Sequence, residues 1–181
     1  MRPLQLTASV KRLMHKHTRW PRMPYGRGRG SGFYSFISYT SREEEVQVLK
    51  PFVDQYIDEL RQHTAYIPIY YDRFYLPDGH CRLGEKLADA IAESDFTTAF
   101  ISPGYVSSPW CTFEWGCATT LAQIAGERVH SLLPIVWKAP VDFSSRWRAI
   151  DITEQFKKRD YKNALHEAVW GTLKFLDWRY G

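Results

Sequence analysis

In SSPWCTFEW, residues 107–115, one carboxylate, Glu114, follows Trp110 by four positions. Ser108 and Pro109 mark a helix start, the serine oxygen capping a free amide and the proline taking the first turn, where its missing N–H costs nothing. Glu114 therefore falls in the second turn, on the same side as Trp110 and Ala118. At 3.6 residues per turn, Trp110, Phe113, Cys117, Leu121 and Ile124 form an apolar stripe with Glu114 on its edge. Partial burial there raises a carboxylate's pKa. Such a group can stabilise an oxocarbenium-like charge developing in a transition state, the task of the second carboxylate in glycosidases. The same residue also fits the surface of a half-buried helix, because charged side chains are mostly exposed. The position of the helix in the fold decides between the two.

Other chemistries lack their parts. Ser102, Ser107 and Ser108 have no GxSxG elbow and no positioned histidine, so a serine hydrolase does not fit, and there is no phosphate-binding P-loop. The run GRGRGSG (26–32) precedes the first strand and misses the spacing of a dinucleotide fingerprint. Cys81, Cys111 and Cys117 contain no CxxC pair and leave an odd thiol, which fits a reducing compartment. His80 beside Cys81 has no further ligands at finger spacing, so no metal is expected.

With 181 residues, 44% of them hydrophobic and 15% aromatic, the chain can bury one sizeable core, so one domain with a tail is expected. No apolar run approaches the roughly 20 residues that span a bilayer, and the N-terminus lacks the apolar core of a secretory signal, which points to a soluble cytoplasmic protein. The net charge of +4 conceals an asymmetry. Residues 1–32 hold eight Lys or Arg and no acid, leaving sixteen basic against twenty acidic residues in 33–181. With its glycine run, 1–32 reads as a flexible basic arm. A transit peptide, a nucleic-acid or acidic-membrane contact and an unselected extension all fit it, the last best.

The elements follow from periodicity. FYSFISY (33–39) reads as a buried strand, and Ser41 as the cap of a helix over 42–62, in which Pro51 should introduce a kink or break. A second strand is expected over 65–71, then a turn-rich loop over 72–82. A second helix is marked by Leu83, Leu87, Ala90 and Ile91. A third strand spans 96–101, a loop 102–107, and the helix carrying Glu114 stops near Gly126. A fourth strand over 128–137, a short fifth over 149–152 and a helix from Tyr161 to Leu176 complete the pattern. Strands alternating with helices imply βαβ units, an α/β fold with a parallel sheet covered on both faces.

In such a sheet, ligands bind outside the carboxyl ends of the strands. That edge comprises Tyr39, Thr40, Ser41 and Arg42 after the first strand, Asp72 and Arg73 after the second, residues 102–107 after the third, and Trp137 and Lys138 after the fourth. Trp110 and Glu114 lie on it. Trp110 and Trp137 are candidates to offer an aromatic face to a ligand, although a core role fits each as well. Arg42 and Arg73 sit where a pyrophosphate can be paired, although both also fit as solvated edge charges.

FISYTS (36–41), the Asp-Gly loop after the second strand and SSPWCTFE (107–114) resemble the signature boxes of a Toll/interleukin-1 receptor (TIR) domain, over roughly residues 33–181. The WCxxE run is the most specific part. The resemblance implies a three-layer, flavodoxin-like, five-stranded parallel sheet. It also implies one of two functions. Members resembling bacterial, plant and axon-degeneration TIR domains cleave NAD with a glutamate at the position of Glu114, whereas animal receptor and adaptor members work through TIR–TIR assembly and generally lack the activity. Cleaving the nicotinamide–ribose bond expels a pyridinium that leaves as neutral nicotinamide, so no general acid is needed and one carboxylate suffices. The missing second acid is therefore no obstacle.

The candidate substrate-binding set, from the sheet edge and the resemblance together, is Tyr39, Thr40, Arg42, Asp72, Arg73, Phe74, Gly84, Ser102, Trp110 and Trp137, and by resemblance residues 74–84 form a loop that closes over substrate and contacts a neighbouring subunit. NAD-cleaving members commonly carry a basic residue where this chain has Thr40. The expected function is an NAD glycohydrolase or cyclase, with NAD as substrate and no cofactor, self-associating through TIR–TIR contacts that extend to filaments. It would serve immune or antiphage signalling, or NAD depletion, with an effector protein upstream or downstream. The alternative is a non-catalytic module that recruits other TIR domains.

Overall fold

Among the described residues five short runs become strands: β1 (Ser35–Ser38), β2 (Ile69–Tyr70), β3 (Phe96–Ile101), β4 (Ser131–Val136) and β5 (Ile150–Asp151). In the computed structural model, which describes residues 35–64, 69–70, 83–92, 94–126, 130–140 and 148–180, they pair in parallel in the order β2-β1-β3-β4-β5. All residues of β1, β3 and β4 are buried. Continuous rather than alternating burial is what a sheet covered on both faces demands. The expected arm (1–32) and the whole expected loop over 72–82, with Asp72, Arg73 and Phe74, lie outside the described residues.

Six helices occur among the described residues: α1 (Glu43–Thr64), α2 (Leu83–Ala92), α3 (Pro103–Val106), α4 (Pro109–Ala125), α5 (Thr153–Lys157) and α6 (Tyr161–Tyr180). None is long and apolar enough to cross a membrane. On one face of the sheet, α1, α5 and α6 pack on Ile37, Phe100, Leu133 and Ile135. On the other, α2 and α4 cover Phe36, Tyr70 and Leu132, while Tyr105 of α3 joins Cys111, Ala99, Ile101 and Val136. The α1–α6 face also holds a polar pin. Thr172 Oγ1 donates to the Ala168 carbonyl, so Tyr56 Oη, 2.8 Å away, must donate to Thr172. Burial lifts the Tyr56 phenol to about 12.

Three expectations needed correcting. First, of the kink or break expected at Pro51, the break does not occur: α1 is one helix from Glu43 to Thr64. The carbonyl left without a donor belongs to Gln47, and both residues are exposed, so water can take the place of the missing N–H. Second, α1 is entered by Arg42 rather than Ser41: the Arg42 carbonyl accepts from Glu45 and Val46, and its own N–H is taken by Thr40 Oγ1 at 3.2 Å. Third, residues 103–106 form a helical turn instead of loop, with Ser102 as its cap, and α5 was not foreseen. The end of α4 is as expected, with Gly126 at φ 87, where a side chain would be strained.

Candidate active site

The strand order places the topological switch between β1 and β3, where the chain leaves in opposite directions and opens a crevice at the carboxyl ends. β1 ends at Ser38. After β3, the α3 turn and a second capped start bring α4 back to the same point. Ser108 accepts the Cys111 N–H and Pro109 opens the helix, which fixes the phase that sets Glu114 facing β1.

There Ser38 Oγ donates to Glu114 Oε2 at 2.5 Å. Tyr105 Oη lies 2.8 Å from the same serine oxygen. Serine has one proton, and the carboxylate takes it. The tyrosine must therefore donate, which orders the chain Tyr105 to Ser38 to Glu114. Burial first, and then the charge of Glu114, hold the Tyr105 phenol well above 10, so it keeps the proton that this order requires. Burial also lifts the Cys111 thiol to about 12, with Glu114 again contributing, and the half-buried Cys117 thiol is raised by the same two causes. The Glu114 carboxylate is itself half-buried.

The apolar phase of α4 differs from expectation. Cys111, Ala118 and Ala122 face the sheet, whereas Trp110 is 51% exposed, Phe113 39% and Ile124 81%. Small residues let the helix approach the strands closely, and the large ones are displaced to the rim. Trp110 and Phe113 meet edge to face, with ring centroids 6.4 Å apart, so an aromatic wall stands in solvent one turn before Glu114.

The remaining candidates are distributed as follows. Arg42 is exposed at the mouth and donates from Nη2 to the Ser107 carbonyl at 2.8 Å, tying the loop after β1 to the entry of α4. Thr40 is buried, its hydroxyl accepting from Arg42. Tyr39 packs on the α1–α6 core, and its carbonyl faces Cys111 Sγ at 3.5 Å. Ser102 is buried and accepts the Tyr105 N–H at 3.0 Å. Gly84 sits on α2 next to Phe113. Trp137 is 7% exposed with its ring against Phe156, a core position. The structure thus sets Glu114 against Ser38 at the end of β1, leaves Trp110 exposed one turn before it on α4 and Arg42 exposed against Ser107, and turns Trp137 into the core. Sequence reasoning did not single out Ser38 or Tyr105. No local signal marks either one: FYSFISY carries two serines, Ser35 and Ser38, and nothing in the run tells them apart.

The raised groups carry a pH dependence. Cys111, Tyr56 and Tyr105 stay protonated in the folded chain above the points, 9.0 for the thiol and 10.0 for the phenols, at which they ionise when exposed. The folded state then binds more protons than the unfolded one. Their contribution is fully present below about pH 9 and falls as pH rises toward 12, by about 1.4 kcal/mol per pH unit for each group within its window. Urea unfolding between pH 8 and 12 should show this decline, and Tyr56→Phe should make it shallower above pH 10. An unchanged slope in that variant would contradict the assignment.

A family model, the TIR domain, matches residues 36–169. No curated protein matches the chain. Among solved structures, it is similar to the TIR domain of the Toll-related receptor TRR-2 from Hydra magnipapillata, at 17% identity, covering 76% of this chain and 98% of that one, with a TM-score of 0.48. It is also similar to the TIR domains of the activated Roq1 resistosome directly recognising the pathogen effector XopQ, at 18% identity, covering 76% and 84%, with a TM-score of 0.47.

Proposed function

The chain belongs to the TIR-domain family, and from that premise we propose that it cleaves the nicotinamide–ribose bond of NAD, with Glu114 as the catalytic carboxylate. The observation that carries this reading is the half-buried Glu114 at the β1/β3 switch, oriented by Ser38 at 2.5 Å. Nicotinamide leaves as a neutral molecule, so the site needs no acid. It needs a fixed negative charge beside the ribose as oxocarbenium character develops, and a carboxylate oriented in advance by a buried donor supplies one without reorganising at the moment of reaction. Ser38 and Tyr105 are positioning residues in this scheme. Trp110 offers its exposed face to nicotinamide or adenine, and Arg42 stands at the mouth for the pyrophosphate. Water attack on the ribose gives linear ADP-ribose, and attack by the adenine ring gives the cyclic product.

We place this activity in immune signalling or NAD depletion by an assembly of TIR domains. The test is nicotinamide release by concentrated protein, with Glu114→Gln alongside. Equal turnover by the two would overturn the assignment.

One observation favours a second reading, a non-catalytic module that recruits other TIR domains. Val106, Trp110 and Phe113 expose large apolar surface around α3 and the start of α4, at 47%, 51% and 39%, and exposed apolar groups of this kind suit a docking face. Assembly without nicotinamide release, and a cellular NAD pool unaffected by the wild-type chain, would select this reading.

A further inference from the structure

Glu45 is the third acid of the run Glu43, Glu44, Glu45 at the start of α1, and in sequence it reads as one more charge favourable to the helix dipole. In the fold it differs from its neighbour. Glu44 is exposed, whereas Glu45 is 7% exposed at the carboxyl edge of the sheet. A buried carboxylate is costly unless several donors hold it, and an apolar residue of similar size often serves stability equally well.

Its donors all come from the segments after β3 and β4. Ser102 Oγ donates to Glu45 Oε2. The Gly104 N–H donates to Oε1 at 3.3 Å. Lys138 Nζ lies 3.7 Å from Oε1, but its side chain is 59% exposed, so this ion pair is screened and weak. The fit against α3 is close: a Cβ added at Gly104 would overlap the carboxylate, standing 2.7 Å from Glu45 Cδ.

We propose that Glu45 is a positioning residue for NAD cleavage, clamping the α3 turn so that Tyr105 meets Ser38 and Ser38 meets Glu114. The inference rests on the NAD-cleaving reading and adds a regulator of its geometry. Ser102 is the joint, its proton going to Glu45 and its oxygen accepting the Tyr105 N–H at 3.0 Å. Tyr105 then reaches across to Ser38 at 2.8 Å, and Ser38 to Glu114 at 2.5 Å. The four-residue turn closes its own backbone bonds, Val106 N–H to the Ser102 carbonyl and Ser107 N–H to the Pro103 carbonyl, but its start is anchored by Glu45, which holds the cap Ser102 and the Gly104 N–H, so the carboxylate beneath it sets where the tyrosine stands. Small displacements of a supporting group are felt strongly in catalysis, on the order of a hundredfold for about 1 Å.

The test is steady-state nicotinamide release from NAD by the full chain and four variants, each checked for folding by melting temperature. Glu45→Ala should lower kcat by up to roughly tenfold, and by no more than Tyr105→Phe through which it acts, while KM changes by less than about twofold. Glu45→Gln, which keeps an acceptor for the Gly104 N–H, should recover most of the loss. Gly104→Ala should mimic Glu45→Ala by displacing the carboxylate, and the double variant should be no worse than either single one, because the two act on a single contact. Should Glu45→Ala fail to fold, Glu45→Gln and Gly104→Ala carry the test through the same split between kcat and KM. A wild-type kcat in folded Glu45→Ala or Gly104→Ala, a change confined to KM, or additive losses in the double variant would overturn the positioning role while leaving NAD cleavage standing. Absence of turnover by the wild type, or turnover by Glu114→Gln equal to it, would instead remove the reading beneath it.

Discussion

Glu114→Gln is expected to lower kcat for NAD cleavage by at least about a hundredfold, measured as nicotinamide release, while leaving the fold intact. The magnitude follows from what is removed. Taking away one preorganised electrostatic group at a reacting centre costs on the order of 10² to 10³ in rate, and here no second carboxylate has been assigned to share the work. Glutamine is isosteric and its amide oxygen still accepts from Ser38, so the Tyr105 to Ser38 order survives and the melting temperature should move little. An independent sign confirms that the charge has gone. Glu114 contributes to the raised thiols of Cys111 and Cys117, so the half-buried Cys117 should alkylate faster with iodoacetamide at pH 8 in the variant. Faster alkylation with undiminished turnover would mean that the charge was removed and was not needed.

Ser38→Ala is expected to have the next largest effect, a fall in kcat of roughly tenfold to a hundredfold together with a loss of about 1–3 kcal/mol in stability. Ser38 is 1% exposed. Its removal takes a donor from Glu114 and the acceptor from a buried phenol at the same time. Tyr105→Phe should be milder in activity, because Ser38 can still donate to Glu114 once the phenol is gone. The expected order of kcat is therefore wild type, then Tyr105→Phe, then Ser38→Ala, then Glu114→Gln. If Tyr105→Phe lost more than Ser38→Ala, the direction assigned to the chain of hydrogen bonds would be wrong.

Local patterns in the sequence made most of the framework legible. β3 coincides with the expected 96–101, and the Ser108 to Pro109 entry and Gly126 exit of α4 are where backbone chemistry predicts them. The sheet edge that carries Glu114 follows from strand alternation alone. The phase of α4 was misread because volume and burial do not coincide there: Ala118 and Ala122 lie against the sheet, while Trp110 and Ile124 do not. Ser38, Tyr105 and Glu45 had no local signature, because each acquires its role from a partner far along the chain. Glu45 meets Ser102 across 57 positions, and Ser38 meets Tyr105 across 67. No helical or strand period encodes such separations. Pro51 marks the opposite limit, since a strong local rule gave way where solvent could replace a hydrogen bond.

The contact between Ser38 and Glu114 spans 76 residues of chain, and this has a kinetic consequence. Parallel strands β1 and β3 must be registered, and α4 docked, before the two side chains can meet. Non-local pairings of this kind close late, because the entropy of the intervening loop must be overcome first. No isolated hairpin or helix of this chain can hold a working fragment of the site. During refolding from urea, helical signal should therefore return ahead of enzymatic activity, and the recovery of turnover should follow the slowest phase of tertiary assembly.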